Sequence, residues 1–134
     1  MKTQFDQLLR SKGLKITQNR INVLQVLKQA PHPLDISEIR DQITPKPDTV
    51  TLYRMMDQFS QKGIVRIINF HEGKHRYELN HDHHHHLVCR RCGAIQAIHD
   101  SCLGIETKKI EKKYNFSIQD HTLEFFGLCQ NCHQ

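Results

Sequence analysis

The chain of 134 residues has no tryptophan and no long apolar stretch. Apolar residues make up 37% of the sequence and aromatic residues 7%, which leaves little material for one large hydrophobic core. We therefore expect one ordinary domain or two very small ones, of which a bound metal could stabilise one. No apolar segment approaches the roughly 20 residues of a membrane-spanning helix, so a membrane is not among the expected partners.

Acidic residues are also scarce, with 14 Asp and Glu against 19 Lys and Arg, and the formal charge is +5. The first 66 residues contain eleven of the basic residues and only six of the acidic ones, so they carry the whole excess. A basic half of this kind suits a polyanionic partner.

A secretion signal is missing from the start of the chain, where MKTQ leads into an amphipathic stretch instead of an apolar segment. We therefore expect a cytoplasmic location, in which thiols stay reduced. In that compartment, paired cysteines indicate a metal site and not disulfides.

The most distinctive segment is residues 81–92, HDHHHHLVCRRC, in which five histidines lead into a Cys-x-x-Cys pair. A second pair, Cys129 and Cys132, follows after 36 intervening residues. Imidazole and thiolate are ligands that zinc prefers, whereas carboxylate-rich sites suit harder metals. The segment is internal, which argues against a purification tag, and it predicts a metalloprotein.

Periodicity and turn residues predict helices followed by a hairpin in the first half of the chain. Helices are expected at residues 3–11, 17–30, 37–43 and 49–62. Their N-caps are expected to be Thr17, Asp48 and either Asp35 or Ser37. Two segments rich in strand-forming residues, 64–70 and 76–79, flank a glycine-containing turn and indicate a β-hairpin.

This order of elements is typical of a winged helix-turn-helix, whose last helix enters the major groove of DNA. The start of the expected 49–62 helix exposes hydroxyl, aromatic and guanidinium groups that suit bases and phosphates. The ordinary alternative is a three-helix unit with a solvated polar face.

The second half of the chain predicts a small α+β unit. We expect the histidine run to act as a hinge, followed by strands at 94–98, 116–118 and 122–126 and a helix at about 101–114. These strands could pair with those of a second copy and form a homodimer. In an extended segment, alternate residues point the same way, so His84 and His86 should face one side and His83 and His85 the other.

Four segments of the chain carry a family resemblance: GLKITQNR at 13–20, DTVTLYR at 48–54, HHHHLVCRRCG at 83–93 and HTLEFFGLCQNC at 121–132. In this order and spacing they resemble the ferric uptake regulator (Fur) family of bacterial metal-responsive repressors. The resemblance covers essentially the whole chain. It implies a homodimer on double-stranded operator DNA, with a winged-helix DNA-binding domain at 1–80 and a dimerisation and metal-binding domain at 81–134.

The resemblance also implies which residues form the sites. The DNA-binding residues would be Lys15, Arg20, Thr49, Thr51, Tyr53 and Arg54. Structural Zn²⁺ would be held by Cys89, Cys92, Cys129 and Cys132, and four thiolates make a closed tetrahedral site. Cys102 is left over as a plain thiol.

A regulatory site would use Glu78, His84, His86 and His32. Because Pro33 could hold the family's histidine position, His71, His75 or His81 could replace His32. A second site would use His83, His85, His121 and Glu106, the last as a nearby substitute because the family's glutamate position holds Gly104.

The nitrogen-rich ligand set favours Zn²⁺ over Fe²⁺ as the regulatory ion. We therefore expect a zinc-sensing repressor of metal uptake genes, with an iron-sensing or peroxide-sensing member of the same family as the alternative. A zinc-dependent hydrolase would need a base beside an open metal position, and the chain lacks a His-Glu-x-x-His pattern. A metal buffer would leave the tyrosine and arginine of the 49–62 helix unexplained, so we expect no enzyme and no simple buffer.

Overall fold

The computed structural model describes residues 4–80, 84–99, 106–119 and 121–133, and the chain divides into two compact units, Met1–His81 and Asp82–Gln134. The first unit contains α1 (Gln4–Ser11), α2 (Gln18–Gln29), α3 (Ile36–Asp41), α4 (Thr49–Gln61), β1 (Val65–Ile68) and β2 (Arg76–Leu79). The second contains β3 (His85–Cys89), β4 (Ile95–Ile98), α5 (Thr107–Tyr114) and β5 (Glu124–Gly127). The α+β class is confirmed. In the described ranges, no helix has the length and apolar character needed to cross a membrane.

Side-chain caps fix where the helices of the first unit begin. The Thr17 hydroxyl accepts a hydrogen bond from the Arg20 N–H at the start of α2, and the Asp48 carboxylate accepts one from the Thr51 N–H at the start of α4. Asp35, and not Ser37, caps α3 in a reciprocal capping box with Glu38. Each cap satisfies a backbone donor that the helix itself cannot pair.

Helix α4 is held by an apolar stripe that faces the core of the first unit. Leu52, Met56 and Phe59 are completely buried, together with Leu9 and Ile39 from other helices. Burying a side chain of this size stabilises the fold by about 1.5–3 kcal/mol. The stripe therefore determines which face of α4 remains in solvent.

The hairpin of β1 and β2 follows directly, with Val65 opposite Leu79 in an antiparallel register. Leu34, which precedes α3, exchanges two backbone hydrogen bonds with Tyr77 at 2.8 and 3.0 Å. We call residues 65–79 the wing. Its second strand is thus fastened to the segment that leads into α3.

A group of ion pairs ties the turn of the wing to α3. The buried guanidinium of Arg76 donates to Glu72 and Glu38, at 2.9 Å to each, and to the backbone oxygen of Pro33. Lys74 donates to Asp35 at 2.6 Å. The hydrogen bond from Arg76 lowers the pKa of the Glu72 carboxyl. Burial would raise the pKa of Asp35, but the hydrogen bonds from Lys74 and the Glu38 N–H outweigh it and lower that pKa.

The second unit is built on a three-stranded sheet in the order β4-β3-β5. Central β3 runs antiparallel to β4 and parallel to β5, with His86 opposite Ala97 on one side and Glu124 on the other. Parallel neighbours need a long connection, and β3 and β5 are separated in the chain by residues 90–123, which include β4 and α5.

The structure corrects two predictions for this unit. The histidine run is not only a hinge, because its second half forms the start of β3. Residues 116–118 do not form a strand. Asn115 ends α5 in the left-handed conformation at φ 52°, and the N–H groups of Phe116 and Ile118 then donate back to Glu111. The part of the expected 101–114 helix before residue 106 lies outside the described residues.

We expect Arg76→Met to lower the free energy of unfolding by about 3 kcal/mol, the lower end for a buried ion pair that loses one partner. The lower end applies because Glu38 and Glu72 keep partial access to water. Urea unfolding at pH 7 measures the loss, and Arg10→Met, at an exposed position of α1, is the matched control. Equal stability of the two variants would contradict the role of the network.

The same network sets a pH dependence with a definite sign. Because Glu72 and Asp35 have lowered pKa values in the fold, their contribution is present above about pH 4 and is lost as the pH falls through the lowered values. The stability difference between the wild type and Arg76→Met should therefore shrink in acid.

Candidate metal centres and nucleic-acid interface

Four cysteine sulfurs come together at one edge of the second unit's sheet. Those of Cys89, Cys92, Cys129 and Cys132 all lie within 4.8 Å of one another, and the Cys92 and Cys129 sulfurs are 3.7 Å apart. Four sulfurs at about 2.3 Å from a tetrahedral zinc lie about 3.8 Å from each other. The donor set therefore fits the structural Zn²⁺ that the family resemblance implies.

The strands explain why the two cysteine pairs meet. Cys89 is the last residue of β3 and lies opposite Gly127, the last residue of β5. Because β3 and β5 are parallel, they end at the same edge of the sheet. The cysteine pair at the end of each strand therefore reaches the same place. Gly93, at φ 79°, closes the first turn with its N–H on the Cys89 oxygen, and Arg91 donates to the Cys132 oxygen at 3.2 Å.

The crowded thiols do not ionise alike. Backbone N–H groups of Cys92 and Cys129 lower the pKa of the Cys89 thiol to about 5. The hydrogen-bonded contact with the Cys129 sulfur, together with burial, raises the pKa of Cys132 to about 12. Four thiolates so close together repel one another, and a divalent cation removes that repulsion.

The histidines of β3 lie on both faces of the sheet. His84 and His86 have ring centroids 4.9 Å apart, whereas His85 approaches His121, with a centroid distance of 5.9 Å. Side chains alternate along the chain here as the sequence predicts. All three histidines of the 84–86 segment are buried, and buried imidazoles in a row are unusual unless they have specific partners.

A carboxylate that the sequence did not reveal fixes one of these rings. Glu124 on β5 accepts from the His86 backbone N–H at 3.0 Å, and the same oxygen lies 2.9 Å from His86 Nδ1. Because an ionised carboxylate only accepts, Nδ1 of the neutral ring carries the proton and Nε2 carries the lone pair. Only the strand register, which places Glu124 opposite His86, could have disclosed this contact.

The structure does not bring together the residues predicted for the second metal site. His83 lies outside the described residues. Glu106 precedes α5 and pairs with Lys109 at 2.7 Å. Among the described residues, no cluster of three or more potential metal ligands within 4.8 Å contains Glu106, His85 or His121.

Two predicted regulatory ligands belong to the first unit. Glu78 lies on β2, where its carboxylate pairs with Arg66 at 2.9 Å. His32 precedes α3, and its Nδ1 lies 2.9 Å from the Pro33 oxygen, so this contact leaves Nε2 as the ring's lone-pair atom. Of the proposed substitutes, His71 and His75 are exposed residues of the wing, and His81 lies outside the described residues.

The start of α4 presents the expected nucleic-acid surface. Thr49, Thr51, Tyr53 and Arg54 are exposed on the side opposite the apolar stripe, and Lys15 is exposed as well. Val50, which the sequence analysis passed over, is 54% exposed and adds an apolar group. A groove of about 950 Å³ between this end of α4 and the wing is lined by Arg40, Tyr53 and Lys74, among others.

Arg20 has a structural contact in addition to its expected role. Its guanidinium donates to the Lys15 oxygen at 2.6 Å and to Gln58 Oε1 at 2.9 Å. These bonds join the start of α2 to the exposed helix α4, so Arg20 positions α4.

Residues 11–126 match the model of the ferric uptake regulator family. The chain belongs to this family. The ferric uptake regulation protein of Legionella pneumophila is 36% identical over 131 residues, covering 94% of this chain and 96% of that protein. The family predicted from the motifs is thus confirmed.

Solved structures of the family agree in fold. The Vibrio cholerae ferric uptake regulator aligns with a TM-score of 0.77 at 33% identity, over 94% of this chain and all of that one. The Pseudomonas aeruginosa regulator with manganese aligns with a TM-score of 0.77 at 26% identity, over 96% and 99% of the two chains. Family members are metal-responsive transcriptional regulators that bind DNA, and they are not enzymes.

We expect Cys132→Ser to lose one tightly held zinc per chain and to lower the melting temperature, because metal in a closed thiolate site contributes folding energy directly. Metal analysis of dialysed protein and a thermal melt measure both effects. Cys102→Ser makes the same chemical change at the one cysteine that is not among the expected zinc ligands, and it should keep the zinc. A Cys132→Ser protein that kept its zinc and its melting temperature would remove Cys132 from the site.

Proposed function

We propose that this chain is a DNA-binding repressor of metal uptake genes that responds to Zn²⁺ through His84 and His86. The observation that carries the proposal is the pair of buried imidazoles at the start of β3, one of them oriented by a carboxylate. Metal-ligating histidines commonly have such a partner. A repressor of this kind works in the cytoplasm, where its operator lies.

The choice of Zn²⁺ is supported by the ligand type. Imidazole nitrogen suits Zn²⁺, whereas carboxylate oxygen suits Mn²⁺, and the expected ligands here are mostly imidazoles. The competing candidate is an iron-sensing repressor, which the name of the Legionella relative favours. Titration of operator binding with each ion separately, at equal free concentration, distinguishes the two.

We infer that Glu78 and His32 complete the regulatory site from the first unit. Two observations support this inference, one from the sequence and one from a hydrogen bond. Glu78 comes six residues before His84 and supplies the oxygen ligand that the family places on this strand. The contact of His32 Nδ1 with the Pro33 oxygen leaves its Nε2 for a metal.

Operator recognition is assigned to the exposed start of α4 with Lys15. Tyr53 offers a ring and a hydroxyl to base edges, Thr49 and Thr51 offer hydroxyls, and Arg54 offers a fork to phosphate or guanine. The groove between α4 and the wing gives this surface a concave side.

A homodimer is supported by the apolar surface of the second unit. Leu87, Phe125 and Leu128 are 37–52% exposed and border a groove of about 590 Å³. No residue of α5 is buried, although Ile110 and Tyr114 are apolar. β5 is also an edge strand, and such edges pair readily with another chain. A second copy would cover these surfaces and set two winged units at a fixed spacing.

The regulation that follows is a shift between populations. Binding of the ion by His84, His86, Glu78 and His32 would favour the population of the dimer in which both α4 helices fit successive major grooves of DNA. A coupling of about 1–3 kcal/mol changes DNA affinity by about 5–150-fold.

We expect Tyr53→Ala and Arg54→Ala each to weaken operator binding by roughly 1–3 kcal/mol, while zinc content and dimerisation are unchanged. Arg54→Ala should also reduce the salt slope by about one unit if it contacts phosphate. Fluorescence anisotropy at several salt concentrations measures both quantities. Lys62→Ala, at the other end of α4, is the matched control, and normal affinity of both test variants would move the DNA surface elsewhere.

We expect the double variant His84→Ala/His86→Ala to lose metal-dependent operator binding and to retain structural zinc, because the cysteines lie at the other end of β3. Operator binding with and without added Zn²⁺ measures the response, and metal analysis measures the structural site. His133→Ala, an exposed histidine of the same unit, is the control. A double variant activated at the wild-type zinc concentration would relocate the sensor, with His85 and His121 the next candidates.

A further inference from the structure

A cation lies directly beside one of the proposed regulatory ligands. Arg66 on β1 is opposite Glu78 on β2 in the antiparallel register of the wing, and Arg66 Nη2 donates to Glu78 Oε1 at 2.9 Å. Tyr77 and Leu79, on either side of Glu78 in the chain, belong to the buried core. Because successive side chains of a strand alternate, Arg66 and Glu78 lie on the other face of the hairpin. A change at Arg66 therefore alters the charge beside Glu78 without removing a core side chain.

The pair is only partly open to water. The side chains of Arg66 and Glu78 are 22% and 11% exposed. Charges in such a position interact through an effective dielectric of about 20, which is far below that of bulk water. The positive charge of Arg66 therefore acts strongly on whatever the Glu78 carboxylate binds.

A divalent ion bound by Glu78 would be opposed by Arg66 in two ways. Carboxylate oxygens bind zinc at about 2.1 Å, so an ion on either oxygen of Glu78 lies within about 7 Å of the donating nitrogen of Arg66. The two positive charges repel each other at this separation. The guanidinium also competes with the ion for the negative charge of the same carboxylate, since its hydrogen bond is charge-assisted. Both effects lower the affinity of a site that includes Glu78.

One effect of Arg66 acts in the opposite direction, because its hydrogen bond restricts the Glu78 side chain before an ion arrives. Ordering a side chain of this kind in advance raises affinity by up to about tenfold. Repulsion between a unit charge and a divalent ion at about 7 Å is worth about sevenfold in bulk water, and much more at the dielectric of a partly buried pair. The repulsion therefore exceeds the gain from ordering.

We propose that Arg66 weakens binding of the regulatory ion through its charge beside Glu78, and that it thereby sets the free ion concentration at which the operator is bound. This inference rests on the proposed role of Glu78 as a ligand and adds the residue that adjusts the strength of that ligand. Charge repulsion acts alike on all divalent ions. Arg66 therefore adjusts the threshold of the response and not the identity of the ion.

Two substitutions separate the charge of Arg66 from its hydrogen bond. Arg66→Gln removes the charge but keeps an amide N–H that can donate to Glu78, which also limits the loss of stability. Arg66→Lys keeps the charge but loses the planar fork of donors. Arg10→Gln, at an exposed position of α1, is the matched control, and Glu78→Gln tests the ligand itself. Circular dichroism and retained structural zinc show that each variant is folded.

The experiment uses the full chain loaded with structural zinc. Titration of the visible absorption of Co²⁺ measures affinity for that ion, and competition with a chromophoric chelator measures affinity for Zn²⁺. We expect Arg66→Gln to tighten both ions by about tenfold or more, because the repulsion is removed. The zinc concentration for half-maximal operator binding should fall by the same factor. Arg66→Lys and Arg10→Gln should bind both ions as the wild type does.

The outcomes separate this inference from the function on which it rests. If Glu78→Gln weakens binding but Arg66→Gln does not tighten it, Glu78 is a ligand and the role of Arg66 is overturned. If Arg66→Lys tightens binding as much as Arg66→Gln, charge is not the cause and the inference is again wrong. If Glu78→Gln leaves both affinities unchanged, the proposed regulatory role of Glu78 fails, and the role of Arg66 fails with it.

Discussion

The parallel pairing of β3 with β5 is the constraint on which both ligand clusters of the second unit depend. Its register sets His86 beside Glu124 and Cys89 beside Gly127. A slip of one residue would turn Glu124 to the other face of the sheet and move Cys129 away from Cys89. The histidines at the start of β3 and the cysteines at its end, which we propose as ligands, are therefore held by one set of backbone hydrogen bonds. A metal ion bound by the four cysteines would also protect the register that places His86 beside Glu124.

Different contacts position the helices and strands of the first unit. Its exposed helix α4 is set by a buried apolar stripe, by the Asp48 cap and by the bonds from Arg20 to Gln58. The wing is fastened by Leu34 and by the ion pairs of Arg76. Helix and wing, which border one groove, are thus held independently against the same core. A substitution in the wing network can consequently alter the groove while α4 remains in place.

Local patterns in the sequence predicted many of the helices and strands. The stripe of Leu52, Met56 and Phe59 with Asp48 before it predicted α4 to within one residue, and the glycine turn predicted the wing. Both depend on contacts between residues near one another in the chain. The two cysteine pairs also predicted a metal site, because zinc ligands of this type lie in tight turns whose Cys-x-x-Cys spacing can be recognised in a sequence.

Other features depended on information that the sequence does not display. The histidine run lacks the apolar alternation of a strand, so the sequence predicts a hinge where β3 begins. Residues 116–118 have strand-forming side chains, but the N–H groups of Phe116 and Ile118 donate to Glu111 and hold this segment beside the end of α5. Glu124 lies 38 residues from His86. Only the strand register distinguishes it from the other acidic residues.

The chain order of the sheet has a consequence for synthesis. β3 and β4 are joined by a short turn and can pair as soon as both have left the ribosome. Thirty-four residues separate the end of β3 from the start of β5, so Glu124, Cys129 and Cys132 are synthesised late. Until then, the nascent chain carries the histidines of β3 and only one of its two cysteine pairs. A fragment released before β5 would contain most of the expected metal ligands but could complete neither metal centre. Such a fragment would bind metal ions loosely, and addition of β5 would be needed to order the ligands.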